Sequence, residues 1–152
     1  DDAYDAVSWN VVFLLAGVIP LGIALEATGG SAVIATGLVS AATYLPLVAV
    51  LLLFTVVTGL LANVITPVAT VVLMIPIAVD AATSLGAAPF SFLLAVLFAS
   101  ATSFMTPVGY QTNLMVYGPG GYEFTDFLRV GGPLQLLLAI VTTVGITVVW
   151  GL

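Results

Sequence analysis

The sequence predicts an all-α integral membrane domain, and three observations carry that prediction. Hydrophobic residues make up 62% of the 152 residues and charged residues 5%, with a mean hydropathy of +1.32. Soluble domains carry about 25% charged residues, so most of this surface must be covered by lipid or by other protein. The apolar residues also gather into runs long enough to cross a bilayer as helices, about 20 residues each. Finally, two of those runs are interrupted in nearly the same way, at Ile65-Thr66-Pro67-Val68-Ala69-Thr70 and at Met105-Thr106-Pro107-Val108-Gly109. Proline removes a backbone donor and crowds the carbonyl one turn back, so a helix must kink, end or restart there. In hydrocarbon the freed backbone groups cost several kcal/mol each unless protein or a wet cavity satisfies them.

Asp1-Asp2-Ala3-Tyr4-Asp5 lacks the basic start of a signal peptide, and residues 1–8 read as the end of a linker in a longer protein. The first span covers about 9–29, with Trp9 in the headgroup belt and Gly29-Gly30 closing the helix. Ser31 is a candidate N-cap for a shorter, partial span over 31–44. From 45 to 86 the chain is apolar throughout, with Asn63 to Pro67 at its middle. Two full spans joined by a turn would place polar residues at that middle, whereas Ala62 to Val68 is mostly apolar and uncharged. A re-entrant hairpin whose tip stops inside the membrane is therefore preferred. Residues 88–118 form a discontinuous helix. Its first part, rich in small residues (Ala99, Ser100, Ala101, Ser103), runs to Thr106; it resumes at Leu114 and stops at Gly118-Pro119-Gly120-Gly121. A loop with Glu123, Asp126 and Arg129 follows, read as solvated, and the last span covers about 133–151.

The absence of Cys and His removes disulfides, thiolate chemistry, imidazole bases and the usual zinc ligands. A bound cation would be held by oxygens, which favours sodium or another hard ion. Seven acids stand against one base, Arg129, so nucleic acid is excluded as a partner. That arginine marks the Gly118–Gly132 loop as cytoplasmic.

Interrupted helices at bilayer depth are the pattern of a transporter's binding site. Thr106, Gln111, Thr112 and Asn113 form the polar core of the chain, and Gly109 permits unusual backbone angles. Unwound carbonyls there can hold a cation. The helix restarting near Asn113 and the arm starting near Pro67 each direct a positive dipole end at the break. Packing kinks are the competing explanation, as expected for Pro20, Pro46 and Pro76. Asn63 either caps the first hairpin arm or binds an ion or substrate. Glu26 and Asp80 are acids flanked by apolar sequence, read as headgroup-level residues, with an intramembrane functional role as the alternative.

At these residues the chain resembles the C-terminal half of divalent-anion:sodium symporter family permeases, within the wider ion-transporter superfamily. The resemblance runs from Trp9-Asn10-Val11-Val12-Phe13-Leu14-Leu15-Ala16-Gly17 to the last span. It is most specific at Phe104-Met105-Thr106-Pro107-Val108-Gly109-Tyr110-Gln111-Thr112-Asn113, followed by Val116-Tyr117-Gly118 and Arg129-Val130-Gly131. It implies one of two inverted repeats, with a re-entrant hairpin and an unwound helix, in a homodimeric multi-pass cell-membrane protein whose N-terminal repeat is supplied by the rest of the protein. It also implies sodium-coupled uptake of dicarboxylate, citrate or sulfate. Aligned on Val71-Val72-Leu73-Met74-Ile75-Pro76, Thr66-Pro67-Val68 occupies the hairpin tip, where the family reads Ser-Asn-Thr or Ser-Asn-Asn. Only Thr66 keeps a side-chain oxygen, so Pro67 and Val68 would act through carbonyls.

The expected site thus comprises Asn63, Thr66, Pro67, Val68, Thr106, Pro107, Val108, Gly109, Gln111, Thr112 and Asn113, with sodium on Thr66, Thr106, Val108 and Asn113. It is a transport site, not a catalytic one. A sodium/proton antiporter or arsenite permease, and a non-transporting packing subunit, are the alternatives.

Overall fold

The computed structural model describes residues 16–17, 20, 23–24, 27–41 and 45–151. Residues 1–8, Trp9, Glu26 and most of the expected first span lie outside that set. Every regular element among the described residues is helical: α1 (Gly30–Ala41), α2 (Leu47–Val64), α3 (Pro67–Ser84), α4 (Pro89–Ser100), α5 (Gln111–Tyr117) and α6 (Phe124–Trp150). Among them α2, α3 and α6 are long and apolar enough to cross a membrane. At a rise of 1.5 Å per residue, α2 and α3, with 18 residues each, measure about 27 Å, and α6, with 27, about 40 Å.

Short α4 is the hub of the packing. It lies against α2, α3 and α6, while α1 packs on α3, α2 on α6, and α2 touches α3. The reason is visible in which residues are buried. In α2 they fall in pairs at four-residue steps, Val50/Leu51, Phe54/Thr55, Thr58/Gly59 and Ala62/Asn63. In α4 the pairs are Ser91/Phe92, Ala95/Val96 and Ala99/Ser100. Such stripes of small and hydroxyl-bearing residues let helices approach closely where lipid offers no hydrophobic drive between them. The buried hydroxyls of Thr55 and Thr58 donate to carbonyls one turn back, at 2.8 Å each, and so satisfy themselves within their own helix. Phe92 and Phe54 meet edge to face at 5.5 Å in the centre of this core.

The end of α4 and the start of α6 differ from expectation. The discontinuous helix stops at Ser100, before Thr106, because the Thr102 N–H and hydroxyl both turn back to the Ala99 carbonyl, at 3.1 and 2.8 Å. The last helix starts at Phe124, nine residues before Pro133. A reciprocal cap begins it, with the Glu123 side chain accepting from the backbone N–H of Asp126 and the Glu123 N–H donating to the Asp126 carboxylate at 2.9 Å. Glu123, Asp126 and Arg129 are therefore the cap and first turns of α6, and Pro133 lies inside it.

Because Phe92 is fully buried, Phe92→Ala removes packing that lipid does not replace. Emptying about 100 Å³ at about 24 cal/mol per Å³ costs about 2 kcal/mol. Unfolding of the purified full-length protein in detergent should show that loss, and an unchanged midpoint would contradict the central position of α4.

Candidate functional site

The first break occupies only Ile65 and Thr66. Ile65 ends α2, its N–H bonded to the Leu61 carbonyl at 2.9 Å. Thr66 is extended and starts α3: its hydroxyl oxygen accepts from the Ala69 N–H at 3.4 Å, and its carbonyl accepts from the Thr70 hydroxyl at 2.8 Å and the Thr70 N–H at 3.0 Å. Pro67 at the first helical position loses no bond, since its missing donor would have had no partner there.

The second break is longer, residues 101–110. Ser103 and Pro107 are buried, while Val108 is 69% exposed. Gly109 does not take a positive φ. Its lack of a side chain serves close approach instead, because a Cβ there would fall on the Ser103 hydroxyl and stand 3.0 Å from the Asn63 Cα. The helix resumes at Gln111, three residues earlier than expected, and α5 has only seven residues. Asn113, in its first turn, donates both amide hydrogens backwards, to the carbonyls of Ser103 (2.9 Å) and Thr106 (3.1 Å).

The second break meets α2 at Asn63, two residues before the first break. Its side-chain oxygen accepts from the Met105 N–H at 2.8 Å and from the Ser103 hydroxyl at 3.5 Å. Its amide donates to the Gly59 carbonyl at 2.8 Å and to Gln135 Oε1 at 2.7 Å. Its own carbonyl accepts from the Thr106 hydroxyl at 2.7 Å, and the preceding carbonyl, Ala62, accepts from Ser103 at 3.2 Å. Thr106 Oγ1 in turn accepts from the Gly109 N–H at 3.0 Å. An asparagine amide has two donors and two acceptor positions; both donors and one acceptor position are filled here, while the single Ser103 hydrogen lies closer to the Ala62 carbonyl than to Asn63 Oδ1.

α6 closes the third side. Its buried residues, Gly131, Gln135, Ala139, Thr143 and Ile146, form one stripe. A Cβ on Gly131 would fall on the Phe104 carbonyl oxygen, so this glycine lets α6 lie directly on the unwound backbone. Gln135, one turn on, reaches Asn63. Neither Gln135 nor Ser103 was among the expected site residues; Gln135 lies in an apolar run, and Ser103 was read only as one of the small residues of its helix.

Of the expected residues, Asn63, Thr106, Gly109 and Asn113 are brought into one hydrogen-bonded network. Thr66 is engaged only with its own helix, and Pro67 and Val68 flank it. Gln111 and Thr112 are exposed and make no side-chain hydrogen bond among the described residues. The carbonyls of Val64, Ile65 and Val108 likewise have no donor among the described residues. A cleft of about 300 Å³ opens beside Asn113, but its walls are Phe104, Val116, Phe127, Leu134 and Asp126. Apolar groups and a carboxylate do not suit an anion. Among the described residues no cluster of three or more acids is gathered as a metal site would need.

The citrate transporter family profile matches residues 1–97. The chain is 50% identical over 150 residues to an uncharacterized transporter of Synechocystis, covering 99% of this chain and 24% of that protein. It is 34% identical over 142 residues to sodium/sulfate cotransporter 2 of Chlamydomonas reinhardtii, covering 93% and 16%. With the sodium-dependent high-affinity dicarboxylate transporter 3 of Caenorhabditis elegans it shares 32% identity over 134 residues, covering 88% and 24%. The chain thus spans a quarter or less of the length of these relatives. Three membrane-length helices and this kinship make it part of a multi-pass membrane protein. The chain belongs to the citrate transporter family, as its resemblance to the divalent-anion:sodium symporters implied.

Proposed function

We propose that this chain is one repeat of a sodium-coupled symporter for small divalent anions of the dicarboxylate, citrate or sulfate class. The observation that carries the reading is the docking of the second helix break on Asn63, two residues before the first, far from either end of the longest helix. Gln135, which touches Asn63, is the twelfth of the 27 residues of α6, about 17 Å along a helix of about 40 Å. A bilayer core of about 30 Å crossed by that helix would hold the junction at depth, with α2 and α3 as the arms of a re-entrant hairpin. The sodium/sulfate and dicarboxylate transporters among its relatives support the same class of solute.

The chemistry follows from the groups at the junction. The Val108 carbonyl and Asn113 Oδ1 meet no donor among the described residues. With the hydroxyl oxygens of Thr66 and Thr106 they supply the hard, neutral ligands that sodium takes. Donors for the anion come from the Gln111 amide, the Thr112 hydroxyl and the Val68 N–H at the start of α3; both Asn113 hydrogens are already used. The only cationic side chain in the sequence is Arg129, which is exposed on α6. Co-bound sodium would therefore provide the positive charge that makes a divalent anion tolerable in a low-dielectric site. Movement of the hairpin block against the other helices would then give alternating access, with the second repeat and a second protomer supplied by the whole protein.

Uptake of labelled sulfate and succinate by the full-length protein in vesicles, with and without a sodium gradient, tests the reading. Absence of sodium dependence for every anion would refute it. Thr106→Ala removes a donor to Asn63 and an acceptor for Gly109, two bonds of about 1 kcal/mol each. The half-saturating sodium concentration should rise about thirty-fold, and Thr106→Ser should stay within about three-fold of the parent. In the antiporter alternative a titrating carboxylate lies in the pathway, and partly buried Asp80 on α3 is the candidate. The symporter reading expects Asp80→Asn to keep sodium-driven anion uptake within about two-fold, since Asp80 lies toward the end of α3 opposite the helix breaks; abolished uptake favours the antiporter.

A further inference from the structure

We infer that Gln135 is a positioning residue that ties α6 to the helix breaks and holds the site in its binding geometry. This rests on the transport reading above, and it assigns a role to a residue that makes no contact with the proposed ion ligands. Three observations carry it. Gln135 is 5% exposed and its Oε1 accepts from Asn63 Nδ2 at 2.7 Å, across 72 residues of sequence. Its Nε2 is buried without a hydrogen-bond partner among the described residues. The space it fills exists because residue 59 is glycine, where a Cβ would fall on that same nitrogen.

An orphaned buried N–H is unfavourable, and an apolar side chain of the same size would fill the slot without it. What a leucine or methionine could not supply is the acceptor oxygen. That oxygen, with the Gly59 carbonyl, dictates which way the Asn63 amide faces. Turned over, the amide would set its NH2 against the Met105 N–H and its oxygen against two acceptors. In the observed sense, Asn63 Oδ1 holds Met105, and the neighbouring Thr106 bonds run on to Gly109 and Asn113. One hydrogen-bonded line therefore leads from the middle of α6 to the carbonyls of the second break. Motion of α6 relative to α2 would break it at a single bond.

The test uses the full-length protein, with Gln135→Met to remove the acceptor at similar volume and Gln135→Glu to keep it. In vesicles, the half-saturating sodium concentration should rise about tenfold in Gln135→Met, with maximal uptake within twofold of the parent. Gln135→Glu should stay within threefold on both measures. Gly59→Ala, which evicts the amide, should match Gln135→Met and add nothing when combined with it. A second readout does not depend on transport. Maleimide labelling of Val108→Cys should quicken at least fivefold in Gln135→Met, while labelling of Ser84→Cys, at the far end of α3, should not change. If the parent protein moves no anion, the transport reading fails and the labelling result still decides the positioning role. Equal labelling changes at both cysteines, no change at Val108→Cys, or loss of maximal uptake with an unaltered sodium requirement would overturn the inference.

Discussion

Everything near the site depends on one carboxamide satisfying backbone that two broken helices leave open. A helix that stops inside apolar surroundings leaves terminal carbonyls and amides without partners, and lipid offers none. Asn63 sits one residue before the end of α2 and meets that demand on both sides. It returns one hydrogen to its own helix, accepts the Met105 N–H from the other break, and exposes its carbonyl to Thr106. Both hydrogens and one acceptor position of the side chain are thereby engaged. In the proposed transport site its contribution would be to hold the second break open.

Packing makes that arrangement possible. Glycine appears where backbone or an amide must come within contact distance: Gly59 under Gln135, Gly109 over Ser103, Gly131 on Phe104. None of the three uses a positive φ; each is selected for the volume it lacks. The same logic explains why α4 can end at Ser100 and still belong to the core. Its buried pairs anchor it to α2 and α3 before the chain leaves helical geometry, so the unwound segment departs from a fixed point.

Much of this organisation was legible in the sequence, and for definite reasons. Proline dictates local backbone geometry, so the break at Ile65–Thr66 and the one around Pro107 could be located from residue types alone. Composition sufficed for the all-helical membrane class. The end of α4 was not legible, because the hydroxyls of Ser100 and Thr102 serve equally well inside a helix or at its end; only their bonds to Leu97 and Ala99 decide it. Nor was the start of α6, where a proline in the tenth helical position looked like a beginning and the Glu123–Asp126 cap looked like a loop. The partnership of Asn63 with Gln135 joins residues 72 apart, and no local pattern contains it. A lone amide in an apolar span was the available signal, and it names no partner.

The distribution of charge sets the final constraint on how such a site can work. The two breaks offer carbonyls, hydroxyls and amides, and among the described residues no ionised side chain joins the network around Asn63. Neutral dipoles can orient a divalent anion, yet they cannot offset two charges removed from water. In the proposed symport, a cation arriving with the anion would do both things at once: fill the oxygen ligands at the breaks and cancel part of the anion's charge. Each solute then lacks its best partner without the other, and by linkage each must raise the other's affinity by the same factor. In a site assembled from backbone rather than from fixed charges, coupling between the two solutes needs no additional device.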